Sequence, residues 1–517
     1  MTGAGGRAGA PADADGGSGV RLSAVVARLR DAELLVGAPA ADVDVMGITD
    51  DSRLVSAGDL FCAWAGGTVD AHGFVGDAQA AGAVAALVER PVAETVMPQI
   101  VARDGRRATS IAASVVLGDP QDALRMVGLT GTNGKTTSVW LLRHLLAPTF
   151  RCASLGTLGV YRPDGSKLKG SERLTTPGPV DLIRVLRELV DGGADAVAME
   201  VSSHAIEQGR AHALCFDAVV FTNLTRDHLD YHGTEAAYLA AKLLLADHVR
   251  DGGWAVINAR VPAWQAVRSR VRHVLSFGID TEADLQASHV IVTEHGTRFV
   301  CTYHGEVVPV ELPLLGAFNV ENTLGALGAC VALGLDLRAC VGRLASAPQV
   351  PGRLERIAEM PCTVLRDYAH TPDALQRVLQ SLRPLVRGRL IVLFGAGGDR
   401  DAGKRPLMGE VAHANADVII VTSDNPRTED PDAIIDQIVA AIPAGRAERI
   451  TDRRLAIAHA LGLARRGDLV LLAGKGHETY QVLGTMRVPF DERAIVAELL
   501  APGSAGTGAA GSTRGGA

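Results

Sequence analysis

The chain runs to 517 residues, 47% of them hydrophobic and 21% charged, which is ample apolar material for several packed domains. Its formal net charge of −7, with no sustained basic stripe, argues against a nucleic-acid partner. Seven scattered cysteines with no C-x-x-C pair speak against a disulfide frame or zinc site, the N-terminus has no apolar signal-peptide core, and no run reaches the roughly eighteen apolar residues of a membrane span. A soluble cytoplasmic protein with no membrane insertion is expected.

In chain order, residues 1–19 and 502–517 are rich in Gly, Ala and Ser and read as disordered tails. Residues 20–118 alternate a helix over 22–35, a strand over 59–64, a helix over 75–81 and a strand over 84–89, which predicts a small α/β domain. Within it, Asp50-Asp51-Ser52-Arg53 is on its own a turn signal.

Residues 119–349 form a second alternating block. A strand over 126–129 and a helix over 136–146 flank a glycine-rich turn whose residues 131–136 read G-x-x-G-K-T. This is the end of the phosphate-cradling pattern G-x-x-x-x-G-K-[ST], with Leu129 where the strict form has its first glycine. Glycines let backbone N–H groups approach phosphate oxygens, and the helix N-terminus adds partial positive charge. Lys135 would neutralise the β and γ phosphates, and the Thr136 hydroxyl would ligate Mg²⁺. Strand, loop and helix in this order predict a nucleoside-triphosphate site. Strands over 196–201 and 218–221 would deliver Glu200, then Ser202-Ser203-His204, and the run Thr222 to Asp230 to the carboxyl edge of a parallel sheet, where ligands sit. Beside a phosphate loop, Glu200 becomes a hard oxygen ligand for Mg²⁺. On their own, His228 reads as a hydrogen-bonding loop histidine and Lys242, on a helix over 235–247, as a solvated lysine.

In residues 350–501, strands over 364–367, 390–395, 418–422 and 469–473 alternate with helices, as in a doubly wound sheet without a phosphate loop. Arg400 and Arg427 follow predicted strands and read equally well as exposed turn arginines or as guanidinium groups gripping a substrate carboxylate. Gly474-Lys475-Gly476-His477-Glu478 is a further polar loop, where Glu478 could pair with a substrate ammonium.

Ten ordered segments carry a resemblance that no single motif would. They are GTNGKTT (131–137), LTTPGP (174–179), MEVSSHAI (199–206), TNLTRDHLDYHG (222–233), AFNVENTLGA (317–326), GRLE (352–355), DYAHTPDAL (367–375), GGDRDAGKRPLMG (397–409), DNPRTED (424–430) and GKGHETYQ (474–481). Together they resemble the Mur ligases, the ATP-dependent amide-forming enzymes of peptidoglycan precursor synthesis, over almost everything except the tails. That family uses the shorter GTNGKTT loop. The resemblance implies an α/β fold of three domains: a small N-terminal UDP-binding domain (20–118), a central P-loop ATPase-type parallel-sheet domain (119–349) and a C-terminal Rossmann-like, amino-acid-binding domain (350–501). It further implies ligation of meso-2,6-diaminopimelate to UDP-N-acetylmuramoyl-L-alanyl-D-glutamate through an acyl phosphate, with ATP as co-substrate and Mg²⁺ as cofactor; a monomer is expected.

The resemblance also assigns residues. Gly131, Thr132, Asn133, Gly134, Lys135, Thr136 and Thr137 would cradle ATP, with Asn319, Arg353 and Asp367 as further contacts. Thr136, Glu200, His228 and Lys242 would serve the metal, Lys242 as a carbamate; Lys135, Lys242 and His228 would be the catalytic set. Ser52, Thr175, Thr176, Ser202, Gln208 and Arg210 would contact the UDP-muramoyl peptide. Arg400, Asp424, Asn425, Pro426, Arg427, Gly474 and Glu478 would form the amino-acid pocket, and the DNPR form goes with diaminopimelate, since lysine-adding relatives lack that arginine. One departure is Gly67-Thr68, where some relatives place a His-Gln pair near the uracil. The rival readings are a sister amide ligase, adding D-alanyl-D-alanine or extending folate, and a slow ATP-hydrolysing switch. The complete domain ahead of the phosphate loop disfavours the folate enzyme, and the DNPR and GKGHE segments disfavour the other ligase.

Overall fold

The computed structural model describes residues 19–67, 69–172 and 174–501. The tails, expected to be disordered, and Thr68 of the Gly67-Thr68 pair lie outside the described residues, apart from Gly19 at the edge of the first tail. The described chain forms two compact units.

The first unit is built on a five-stranded sheet ordered Leu35–Gly37, Gln99–Ala102, Ala85–Val88, Asp59–Cys62, Gly47–Thr49. All neighbours are parallel except the first pair. The helix expected over 22–35 stops at Asp31. Glu33 turns into the left-handed region (φ 57°) and Leu34 N–H reaches back to the Leu29 carbonyl at 2.9 Å, closing the helix so that Leu35 starts a strand. The unit is not contiguous in sequence, because it takes in residues 177–193 and 205–214. The helix Pro179–Asp191 buries Leu182, Ile183, Leu186 and Leu189, one face at helical spacing, and packs on the helix Gly105–Val116.

The second unit carries two large sheets and a two-stranded hairpin, Tyr480–Leu483/Met486–Pro489. The larger has ten strands, ordered Gly159–Tyr161, Cys152–Gly156, Ala196–Glu200, Arg125–Thr130, Phe216–Phe221, Val249–Asn258, His273–Ile279, Leu285–Thr293, Gly296–Tyr303, Glu306–Leu312. The run from Cys152–Gly156 to Leu285–Thr293 is parallel, and the outermost strands at both ends are antiparallel. The phosphate-loop strand Arg125–Thr130 thus lies between the strands that end at Glu200 and Phe221. Parallel strands covered on both faces need continuous apolar runs, and Ala196–Glu200 and Cys152–Gly156 are buried along their whole length. The helix Ala317–Ala332 lies close on this sheet, since a Cβ on Gly328 would come within 2.7 Å of Val256 Cγ1. The helix expected over 235–247 is α-helical for Glu235–Leu243 and tightens to a 3-10 turn over Leu244–His248.

The smaller sheet has six strands, ordered Glu355–Ala358, Thr363–Asp367, Leu469–Ala473, Leu390–Phe394, Val418–Val421, Glu448–Arg449. All but the first pair are parallel. The five-, ten- and six-stranded sheets carry the expected three-domain α/β fold, and no helix among the described residues is long and apolar enough to cross a membrane.

Candidate active site

The strand Arg125–Thr130 runs into the loop 131–134, and the helix Lys135–Leu146 follows. Gly131 has φ +148° and a Cβ there would overlap the Thr222 hydroxyl; Gly134 has φ +88° and its Cβ would overlap the Asn322 side-chain oxygen. Both positions therefore require glycine. The loop is pinned from the neighbouring strand end. Thr132 N–H donates to the Asn223 carbonyl (2.9 Å), Asn133 N–H to Asn223 Oδ1 (2.8 Å), and Thr225 N–H to Thr132 Oγ1 (3.0 Å). Lys135 Nζ stands over the loop, donating to the carbonyls of Gly131 (2.8 Å) and Thr132 (2.9 Å). Burial lowers its pKa, a pull that the Glu200 and Asp227 carboxylates oppose.

Lys242 is not the solvated lysine that its helix suggests. It is 1% exposed, its Nζ donates to the Gly131 carbonyl at 2.9 Å, and it lies 4.3 Å from the Tyr238 ring centroid. Burial first, and the Lys135 charge second, push its pKa well below the ordinary lysine value. Glu200 is equally buried, and its carboxylate accepts from Thr157 N–H (2.8 Å) and the Thr157 hydroxyl (3.1 Å). Thr175 and Thr176 sit beside it. The Thr157 and Thr175 hydroxyls lie 3.1 Å apart, Thr176 Oγ1 donates to the Glu200 carbonyl, and Ser202 N–H donates back to Thr176 Oγ1.

One cavity of about 260 Å³ collects most of these groups, although Lys242 and Thr176 are not among its lining. Its lining includes Asn133, Lys135, Thr136, Glu200, Ser202 and His228 from the larger sheet, and Arg353, Asp367, Tyr368 and His370 from the smaller one. Arg353 bridges the two sheets, donating to Thr136 Oγ1 at 3.1 Å while its guanidinium covers the Tyr368 ring at 4.6 Å. Burial raises the Asp367 pKa, although Leu354 N–H and Ala369 N–H donate to its carboxylate. His228 is 45% exposed, in a left-handed backbone conformation (φ 54°), edge-on to the His204 ring. Asn319 does not line the cavity; its side chain donates to the Leu315 carbonyl and accepts from Asn322, which does line it.

The residues expected to form an amino-acid pocket gather at the carboxyl edge of the six-stranded sheet. Asn425 Nδ2 donates to Glu478 Oε2 at 2.9 Å. A Cβ on Gly474 would overlap Asp424 Oδ2, a buried oxygen with no hydrogen-bond partner among the described residues. Arg427 adopts φ 52°, donates through Nη1 to the Gly398 carbonyl (2.6 Å), and is held by the hairpin Tyr480–Leu483/Met486–Pro489 through its N–H to the Val482 carbonyl. Pro426 is buried between them, whereas Arg400 is exposed and donates to the Asp399 carbonyl. Beneath these loops, Arg453 and Glu492 form an ion pair at 2.8 Å with both side chains wholly buried, and Arg453 also donates to the carbonyls of Ser423 and Ala473, the residues just before Asp424 and Gly474.

Ser52, Gln208 and Arg210 belong to the first unit. Ser52 opens a 3-10 turn capped by the Asp51 carboxylate, and Arg210 donates to Gln208 Oε1 at 2.6 Å and 3.0 Å. Thr175, Thr176 and Ser202 belong to the second.

Residue-by-residue reasoning left several groups of the cavity without a role. Asn223, Asn322, Asp227 and His370 lie inside recognised segments, yet only the fold brings them to the loop. For Asp227, the raising effect of burial is outweighed by the neighbouring His228, His370 and Lys135, which hold its pKa down. Lys404 Nζ, donating to the His370 carbonyl at 2.9 Å, is a further half-buried cation that the motif contained without a signal for it.

Comparison with known proteins follows the same division. The Mur ligase catalytic-domain model matches residues 44–123, the Mur ligase middle-domain model residues 129–330, and the Mur ligase glutamate-ligase-domain model residues 352–476. The UDP-N-acetylmuramoyl-L-alanyl-D-glutamate–2,6-diaminopimelate ligase of Geobacillus kaustophilus is 42% identical over 464 residues, covering 87% of this chain and 94% of its own. A solved structure of a ligase of that name is 35% identical, with a TM-score of 0.65 over 88% of this chain and 95% of its own. MurF from Acinetobacter baumannii, 20% identical with a TM-score of 0.61 over 89% of this chain and 94% of its own, shares the fold alone.

Proposed function

The chain belongs to the Mur ligase family, and on that footing we propose that it is an ATP-dependent ligase adding meso-2,6-diaminopimelate to UDP-N-acetylmuramoyl-L-alanyl-D-glutamate. The observation that carries the reading is the single cavity in which the phosphate loop, Glu200 and the Arg353–Tyr368 pair meet, with the Asn425, Arg427 and Glu478 loops on the sheet that supplies its second wall. Two anions, a carboxylate and a triphosphate, must be brought together, so positive charge and excluded water are the main requirements. Lys135 meets the first, since its ammonium needs only to turn from the Gly131 and Thr132 carbonyls to reach β and γ phosphate oxygens laid along the loop. Arg353 reaches the same place from the other sheet.

Among the described residues no three His, Cys, Asp or Glu side chains form a ready-made metal cage. The donors on offer, the Thr136 hydroxyl and the buried Glu200 carboxylate, with His228 at the rim, suit Mg²⁺, which takes oxygen ligands and leaves several positions to phosphate and water. When bound, it would neutralise the charge that builds up on the transferred phosphoryl group. Lys242 fits the carbamate reading. Carbamylation needs a neutral amine, and burial beside a second lysine favours one. The product would be an anionic oxygen donor facing the loop. Thr175, Thr176 and Ser202, next to Glu200, would take the muramoyl-peptide end, and Ser52, Gln208 and Arg210 the rest of the nucleotide sugar. Arg427 would bind a carboxylate of diaminopimelate, with Arg400, Asp424, Pro426 and Gly474 shaping the pocket. A cytoplasmic monomer is the proposed working form.

The test is phosphate release with UDP-N-acetylmuramoyl-L-Ala-D-Glu and ATP, offering meso-diaminopimelate, L-lysine or no amino acid. Release with tripeptide formation only on diaminopimelate is expected. Turnover with lysine would overturn the role of Arg427, and release indifferent to the amine would overturn the ligase reading in favour of an ATPase.

A further inference from the structure

Lys475 has no part in the roles given so far. It is wholly buried, yet its ammonium is well served: Nζ donates to Asn425 Oδ1 at 3.0 Å and to Glu478 Oε2 at 3.1 Å. Asn425 Nδ2 donates to that same Glu478 oxygen at 2.9 Å, so the three side chains close a triangle. Satisfiability fixes how each is turned. Lys475 Nζ and Val482 N–H, which meets Asn425 Oδ1 at 2.9 Å, are donors only, so the amide oxygen must face them and the amide nitrogen must face Glu478. Without the lysine, the Asn425 amide would lose one of the two donors that decide its orientation, and Glu478 Oε2 would lose its cation.

Two groups emerge from the triangle unspent. Asn425 Nδ2 has a second N–H, and Glu478 Oε1 takes part in none of these bonds, on a side chain that is 15% exposed. An N–H donor beside a carboxylate oxygen is the complement of an amino acid's own carboxylate and ammonium. We propose that Lys475 is a positioning residue for the incoming amino acid: it locks Asn425 and Glu478 in the arrangement that recognises an amine carrying an α-amino-carboxylate at its far end. The proposal rests on the reading of Asn425 and Glu478 as part of the amino-acid pocket.

Steady-state kinetics of Lys475→Met, Lys475→Gln, Glu478→Gln and the double variant Lys475→Met/Glu478→Gln test it. Lys475→Met should raise the diaminopimelate KM by about 10- to 100-fold, leave the ATP KM within about twofold, and narrow the preference for diaminopimelate over L-lysine. Lys475→Gln, which keeps a donor, should fall between Lys475→Met and the parent, and it stands in if Lys475→Met does not fold. Because the lysine acts through Asn425 and Glu478 together, the double variant should lose clearly less than the product of the two single effects. Effects of the two substitutions that multiply, or an ATP KM that rises in step, would overturn the proposal. A Glu478→Gln enzyme with an unchanged diaminopimelate KM would overturn the pocket reading itself; a raised KM in Glu478→Gln with none in Lys475→Met would sink the role of Lys475 alone.

Discussion

The floor of the phosphate loop and the floor of the amino-acid loops each hold a buried lysine, and the two are treated in opposite ways. Lys242 is offered a carbonyl, an aromatic face and a second lysine, and no carboxylate among the described residues is in hydrogen-bonding contact with it. Lys475 is offered a carboxylate and an amide oxygen. An amine taken out of water without a counter-ion is driven towards its neutral, nucleophilic form, whereas one given a carboxylate serves as a cationic brace. Burial alone therefore says nothing about what a lysine does. The groups that meet it decide whether it is a reagent or a strut.

That contrast can be broken by experiment, most sharply at Lys242. Lys242→Met should lower kcat by about 10³-fold, roughly 4 kcal/mol in the barrier, while leaving the melting temperature unchanged or higher, because a buried amine without a counter-ion has been removed. In the parent enzyme, activity should fall on stripping carbon dioxide and return with bicarbonate, together with a carbamate signal in ¹³C NMR. Activity indifferent to both treatments would place Lys242 with the struts. Lys475→Met should behave in the opposite sense, losing about 1–3 kcal/mol of stability in denaturant titration because Asn425 and Glu478 lose a partner.

The acid limb of the stability profile sharpens the same point for a neutral base. His477, beside Lys475, has its pKa pushed down to about 3, mainly by burial and then by the Arg353 charge. Its neutral form is the one that the fold accepts, so its contribution is complete above an unfolded-state pKa near 6.5 and drains away as pH falls towards 3. His477→Gln should flatten the loss of stability between pH 6 and 4 by up to about 1.4 kcal/mol per pH unit. An unchanged slope would show that this imidazole is not held neutral. The smallest effect belongs to charge without burial. Arg298 and Glu311 pair at 3.2 Å with side chains 68% and 67% exposed, and Arg298→Ala should change stability by less than about 0.5 kcal/mol.

What could be read from the sequence follows the range of the forces involved. The phosphate loop was legible because its function is written in adjacent residues, and strands over 364–367 and 469–473 were legible because buried parallel strands need unbroken apolar runs. The end of the first helix was not, since Glu33 carries no glycine-like signal for its left-handed turn. Nor was the attachment of Pro179–Asp191 to the first unit, which depends on what its apolar face meets rather than on having one. Within the site, Lys242 and Lys475 look alike as letters, and residue chemistry alone gave neither a task. The family resemblance supplied one for Lys242, but Lys475 acquired its triangle only when Asn425, fifty positions earlier, was brought against it.

The buried pair of Arg453 and Glu492 has a consequence for how the protein is made. Arg453 ties down the carbonyls of Ser423 and Ala473, but its counter-ion comes from the helix Glu492–Leu499, near the end of the described chain. During synthesis, the phosphate loop and every strand around it leave the ribosome well before that glutamate does. A nascent chain stalled ahead of residue 492 would carry a finished nucleotide cradle and an unanchored set of amino-acid loops, with an arginine awaiting neutralisation in the core. On the proposed reading, such a chain could hold ATP before the loops that would take its second substrate have been braced.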